Sequence, residues 1–300
     1  MDEQKQINQS VGICTMERFD SRPLNSVGSS RIRCRWLLDY WPEAEEYIIG
    51  KKYDVMIFQK VYWFNMMRAF KGIKILDLCD PDWLENRPVF EFIDLSDIVT
   101  TSTETLAEYI RKLRPNCLVK CIPDRVYLPE AKPIKREHSE VLKKVVWFGY
   151  SHNAHYLKQV YEELIKRDLE LYVIADHPVD PPLLYKSKLK IKNIPYNYET
   201  LNKELIKYDA VLMPDPYGDE RAKYKSNNKT LQAWSLGIPM IKIPEDIDRL
   251  MTKIEREKES EKMLNEIRDK WDVKYSVDEY RELIWEVKKK RVKEGSILQA

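Results

Sequence analysis

Cysteine is scarce in this 300-residue chain, and its pattern is uninformative for metal. The five residues (Cys14, Cys34, Cys79, Cys117 and Cys121) are odd in number and contain no C-x-x-C pair. That spacing argues against a disulfide framework and fits reduced, buried thiols in a cytoplasmic protein. The four histidines (His138, His152, His155 and His177) do not complete the ligand spacing of a structural zinc site. Charge of one sign is also missing. Charged residues make up 33% of the chain, yet the net charge is only +2. Such a balance gives no strong field toward nucleic acid or a membrane, so nucleic acid is not favoured as a partner but stays open. No apolar run approaches the roughly 18 residues of a membrane span. The polar start, Met1 to Gln6, leads straight into a strand and does not read as a signal peptide.

A core is affordable nonetheless, with 43% hydrophobic and 11% aromatic residues. Short apolar runs alternate with amphipathic stretches, the signature of βα units and parallel sheets. Strand-like runs occur at Ser10 to Cys14, Tyr53 to Phe58, Ile73 to Leu78, Asp97 to Thr101 and Cys117 to Ile122. A loop with Pro23 follows the first, and then Ile32, Trp36, Leu37 and Tyr40 suggest a helix. Leu106, Ile110 and Leu113 mark another helix face, with Thr101 and Glu104 at capping-box spacing before it. Residues 129–144 are polar, contain two prolines and read as a linker. A second series then runs through Lys144 to Gly149, Leu169 to Ala175, Lys190 to Ile194 and Asp209 to Pro214. The expected fold is α/β, with two Rossmann-like domains: residues 1–135, residues 141–275, and a closing helix at 276–300.

The most informative segment is Tyr224 to Ile241. Ser226, Asn227 and Asn228 are good N-cap residues, and Leu231, Trp234 and Ser235 follow at helical spacing. Gly237 stands where a helix ends in the left-handed conformation, and Pro239 cannot continue it. Lys223, Lys225 and Lys229 gather at the helix start, where unpaired N–H groups and the helix dipole favour an anion. The alternative is a solvated loop before a packing helix.

This segment resembles the signature of retaining, nucleotide-sugar-dependent GT-B glycosyltransferases of the family 4 type. It has the strand ending in Pro214, the loop and helix, Asn228-Lys229-x-x-Gln232-Ala233, and Gly237-Ile238-Pro239 before an apolar strand. Two positions depart from the pattern, since Tyr224 and Gln232 stand where many members carry glutamates. The resemblance implies two domains facing a cleft, an acceptor-side first domain, a donor-binding second domain and a last helix crossing back to the first. It implies a nucleotide-diphosphate sugar as co-substrate, with no other cofactor and no metal. The acceptor is left unknown: a saccharide, a lipid-linked glycan, a protein or a modified nucleobase.

On that reading Lys225 and Lys229 stabilise the leaving diphosphate, electrostatically and without an enzymic nucleophile. Gly28 and Ser29, with Arg31 and Arg33, resemble the loop after the first strand that faces the cleft, and the arginines suit a diphosphate or an anionic acceptor. His152 and Asn153 follow the first strand of the second half, where the donor lies in the family. Tyr198 follows a later strand and suits stacking on a base, while Asn227, Asn228 and Gln232 lie on the donor side. Asp80, with Asp77 and Asp82, follows a strand end and suits an acceptor hydroxyl, a base or a divalent ion; equally, Asp80-Pro81-Asp82 is strong turn chemistry. Two alternatives to transfer are a binding protein without turnover and a sugar-nucleotide epimerase.

Overall fold

The computed structural model describes residues 9–16, 27–131, 136–214 and 218–297. The polar start Met1 to Gln6, the loop position Pro23 and the linker residues at 132–135 lie outside the described residues. The chain divides into two compact units. The first comprises Met1–Arg125, Lys223–Ser226 and Val273–Ala300; the second comprises Val126–Ala222 and Asn227–Asp272.

The first unit is built on a six-stranded sheet: β1 (Val11–Cys14), β2 (Ala44–Glu46), β3 (Val55–Gln59), β4 (Ile73–Leu78), β5 (Ile98–Thr101) and β6 (Val119–Cys121). All pairings are parallel, in the order β2-β1-β3-β4-β5-β6. Every residue of β1, β3 and β5 is buried, as a parallel sheet covered on both faces requires. The helix Glu104–Leu113 turns Leu106, Ala107 and Ile110 into the core, each fully buried. Burying a Leu or Ile side chain contributes about 1.5–3 kcal/mol, so this face anchors the helix. Its cap is Thr103, whose side chain accepts from Leu106 N. Thr101 and Glu104 do not form the box expected from their spacing, because the Thr101 hydroxyl donates to the Thr103 carbonyl instead.

The last helix, Lys274–Ile297, belongs to the first unit. Val277, Tyr280 and Ile284 lie one helical turn apart and are each 1% exposed. Tyr280 stacks on Trp41 with centroids 5.6 Å apart. Arg125 pairs with Glu279, Arg281 with Glu43 and Arg291 with Asp97, fixing the helix along its length.

The second unit holds five parallel strands, β7 (Lys144–Phe148), β8 (Glu170–Ala175), β9 (Lys190–Pro195), β10 (Ala210–Leu212) and β11 (Met240–Ile241), in the order β11-β10-β7-β8-β9. Central β10, and β7 after its exposed first residue Lys144, are apolar and buried, whereas edge strand β9 exposes Lys190 and Lys192. Charge on an edge strand discourages further pairing. Gly237 has φ +64°, the left-handed stop expected after the helix Asn228–Ser235. Two parallel α/β units with a final helix returned to the first constitute a GT-B-like architecture.

Candidate functional site

In open α/β sheets, ligands bind beyond the carboxyl ends of the strands. In the second unit, β7 ends at Phe148 and runs into Gly149. A Cβ built on Gly149 would overlap the Lys229 ammonium, so any larger residue there would make the ammonium move from this position. The ammonium also lies 5.4 Å from the Trp147 ring centroid and 6.0 Å from that of Phe148. Lys229 is the second residue of the helix Asn228–Ser235. Asn227 holds the N-cap position, and its carbonyl accepts from Leu231 N at 2.9 Å, but no side chain caps the helix. A lysine, a glycine-lined strand end and a helix start without a side-chain cap therefore meet in one unit.

Around them, Asp176 at the end of β8 accepts from Ser151 N at 2.7 Å, which fixes the turn after Gly149. That hydrogen bond holds the Asp176 carboxyl below the usual range. His152 is exposed and stacks on Tyr150, with centroids 5.7 Å apart. Asn153 N donates to the Tyr150 carbonyl. A cavity of about 420 Å³ opens beside His155, Tyr156 and Asp219. The Tyr156 hydroxyl donates to Asp219, and burial together with that carboxylate pushes the phenol up to about 12. Tyr156 and Asp219 were not singled out from the sequence. A lone tyrosine and a lone aspartate 63 residues apart carry no signal until the fold joins them.

Gln232 donates through Nε2 to Asn202 Oδ1 at 3.0 Å. Tyr198 opens the helix Tyr198–Leu205, and its hydroxyl donates to Glu130 at 2.6 Å. Neither side chain joins Lys229 in the contacts just described.

The first unit places its candidates differently. Gly28, Ser29, Arg31 and Arg33 do not form a loop. They lie in one continuous helical stretch, Gly28–Ser30 followed by a wider-wound Arg31–Arg35. Arg31 lies 5.8 Å from the Trp36 ring centroid. Arg33, expected to face a diphosphate, is instead spent inside the unit. It makes two bonds to Asp77, at 2.7 and 2.6 Å, one to Asp124 at 2.8 Å and one to the Ile122 carbonyl at 2.9 Å. Asp77 is fully buried and also accepts from Thr100 and Tyr280. It is a core ion-pair partner, with no exposed face for a substrate or cation.

Asp80 and Asp82 both reach Lys60 Nζ, at 2.6 and 3.1 Å, and Asp82 accepts from Tyr62 at 2.7 Å. Burial opposes the Lys60 charge, but adjoining Cys79, Asp80 and Asp82 more than restore it and hold its pKa above the ordinary value. Burial raises the Asp82 carboxyl, against the pull of Lys60 and Tyr62. Lys60 has φ +53° at the end of β3, a backbone conformation uncommon for a lysine. In the sequence Lys60 shows only as a lone lysine closing an apolar strand run, with no local sign of Asp80 and Asp82. Ser226 donates to Asp124 at 2.6 Å rather than capping the following helix. Tyr224 packs against Trp83 and Tyr109 in the first unit's core, and exposed Lys225 lies in the same short segment. Among the described residues, no group of three or more His, Cys, Asp or Glu is placed to hold a metal. No helix described is long and apolar enough to cross a membrane.

No protein-family model matches the chain, and no curated protein matches it in sequence. Solved structures do. The HepE protein of Anabaena, in complex with UDP and glucose, matches with a TM-score of 0.62 at 10% identity, over 93% of this chain and all of that one. The BGT of phage T4, in complex with UDP and Mn2+, matches with a TM-score of 0.55 at 12% identity, over 92% of this chain and 99% of that one. An accessory secretory protein structure from Streptococcus pneumoniae gives 0.50 at 13% identity, over 80% of this chain, which spans about half (54%) of that one. These likenesses establish the fold: two Rossmann-like units of the GT-B type.

Proposed function

We propose that the protein is a glycosyltransferase that takes a sugar from a nucleotide-diphosphate donor, most simply a UDP-sugar, and passes it to a hydroxyl acceptor. The observation that carries this reading is Lys229 lodged against Gly149 at the start of an uncapped helix, beyond the carboxyl end of the central strand β7. A helix N-terminus with an adjoining ammonium suits the charge that builds on a departing diphosphate. The bond from the anomeric carbon to the β-phosphate oxygen breaks, the acceptor oxygen takes its place, and the nucleoside diphosphate leaves with Lys229 as its counter-charge. HepE has been solved with UDP-glucose as well as with UDP and glucose, which supports a uridine donor. Asn227, Asn228 and Asn153 are proposed to contact the donor, while exposed Lys225 is a proposed cationic group of the first unit. Asp80, 43% exposed and held by Lys60, is proposed as a proton acceptor on the first unit. Retention of anomeric configuration follows from the resemblance and is part of the proposal. Calorimetry with UDP tests it: Lys229→Ala should weaken binding by roughly 1.5–3 kcal/mol, and unchanged affinity removes Lys229 from the site.

One observation favours a second reading, nucleotide binding without turnover. Neither family glutamate position offers a carboxylate, since Tyr224 is buried and Gln232 donates to Asn202. If Gln232 faces the ribose, Gln232→Glu preserves or strengthens UDP binding and creates or raises turnover. Indifference to Gln232→Glu and Gln232→Leu places it as a packing residue.

A further inference from the structure

The second unit contains another cavity, of about 90 Å³, which shares no residue with the proposed donor site. Arg136, His138 and Ser260 line its inner part, and exposed Glu257, Glu261 and Arg268 stand at its mouth. His138 is 3% exposed, yet neither ring nitrogen has a hydrogen-bond partner. Nε and Nη1 of Arg136 are likewise buried and without an acceptor. Ser260 donates its hydroxyl to the Gly237 carbonyl, and its oxygen is not within hydrogen-bond geometry of these nitrogens. Buried nitrogens of a native fold are almost always paired, so several orphans converging on one cavity point to a missing acceptor.

The charges around His138 favour an anion. Arg136, Arg256 and Lys253 act on the ring from one side of the balance, and Asp209 is the carboxylate opposing them. Asp209 is already occupied, accepting from Ser139, Lys143 N and Lys144 N. Lys253 is paired with Glu140. Fully buried Arg256 donates to the carbonyls of Leu250, Met251 and Ser139, all neutral groups. Glu257 and Glu261 are solvated at the mouth and do not reach the buried Arg136 nitrogens. Water would supply acceptors but no compensating charge. The space exceeds that of one or two waters and is far too small for a nucleotide.

We propose that this cavity binds a single tetrahedral oxyanion, phosphate or the phosphoryl end of a small phosphate monoester, held by Arg136 and His138 inside and by Arg268 at the mouth. Without an anion, burial and the neighbouring Arg136 and Arg256 push His138 down to about 4. An oxyanion reverses the local charge and lets the ring hold a proton, so binding takes up a proton and strengthens as pH falls.

Sulfate is the direct probe, because its own charge is constant over the useful pH range. Calorimetry on the full chain should show a saturable sulfate site that Lys229→Ala leaves in place. Its affinity should fall as pH rises from about 5.5 to about 7.5, approaching tenfold per unit. Arg136→Gln should abolish binding, and Glu257→Gln should strengthen it. Inorganic phosphate competing with sulfate supports a free-ion site, and tighter competition by a sugar phosphate supports a monoester site. A mutation-free measurement guards against misfolded variants. With four histidines in the chain, ring NMR of the wild type should show His138 alone moving toward its charged form with sulfate, and not with chloride at equal ionic strength. No saturable sulfate binding, or a His138 ring that sulfate leaves unmoved, overturns the proposal. Neither result touches the UDP site, which is assayed separately.

Discussion

Arg33 decides between two accounts of the first unit, and Arg33→Met separates them. In the structure its guanidinium is 3% exposed and its Asp77 partner is fully buried. Removing the arginine leaves Asp77 with two hydroxyl donors, Thr100 at 2.7 Å and Tyr280 at 3.0 Å, and no compensating charge. Breaking a buried pair from one side costs about 3–5 kcal/mol, because the stranded charge remains desolvated. Asp124 suffers less, since Ser226 still donates to it. Replacing both partners, as Arg33→Met with Asp77→Leu, removes the stranded charge and should recover much of the loss. Tyr280→Phe should cost about 1.5–3 kcal/mol, the value of one hydrogen bond to a charged group, and should loosen the last helix. A two-unit chain need not unfold in one transition, so the readout should be local. Hydrogen exchange in Val55–Gln59 and Ile73–Leu78 reports the first unit's own stability. A cost below about 1 kcal/mol for Arg33→Met together with a collapse of UDP affinity would make Arg33 a diphosphate ligand and not a core ion-pair partner.

Three other predictions follow from the second unit and the site. His138 is depressed from 6.5 to about 4, so between those values the unfolded chain holds a proton that the folded chain does not. Stability should therefore be complete above about pH 6.5 and fall with decreasing pH at up to about 1.4 kcal/mol per unit; denaturation in acetate, free of sulfate and phosphate, should show this slope, and His138→Gln should flatten it. Gly149→Ala places a methyl group where the Lys229 ammonium sits; UDP binding should weaken about tenfold or more by calorimetry, as loss of one charge-assisted contact implies, with far-UV circular dichroism unchanged. Transfer should survive a chelator, and loss of activity restored by manganese would reopen Asp80 and Asp82 as ligand candidates.

Most of the fold was legible because parallel strands buried on both faces leave continuous apolar runs, such as Val55 to Phe58 and Val145 to Phe148. The turn at Gly237 was legible because its left-handed conformation favours glycine. Edge strand β2 was missed because Ala44-Glu45-Glu46 is polar and half-buried. The site was harder to read. Sequence proximity suggested that Lys225 and Lys229 act together, yet the chain assigns Lys223–Ser226 to one unit and Asn227–Asp272 to the other. Arg33 looked like an anion ligand because nothing local reveals Asp77, 44 residues away, or Asp124, 91 residues away. Long-range ion pairs have no periodicity, so a buried arginine and a ligand arginine look alike until the sheet brings partners together. His138 and Arg136 passed as linker residues for the same reason; only the packing of the helix Lys253–Lys270 gives them a cavity.

The most direct test of the central claim is to incubate the protein with a panel of sugar nucleotides and follow the phosphorus and anomeric proton signals by NMR. The account predicts that at least one donor, a UDP-sugar first among them, releases free nucleoside diphosphate by transfer or slow hydrolysis, with the new anomeric signal retaining the donor's configuration and Lys229→Ala suppressing release. A panel that is neither bound nor consumed would contradict it. Binding without release would leave a nucleotide-binding protein, and isomerised sugar on an intact nucleotide would make it an epimerase.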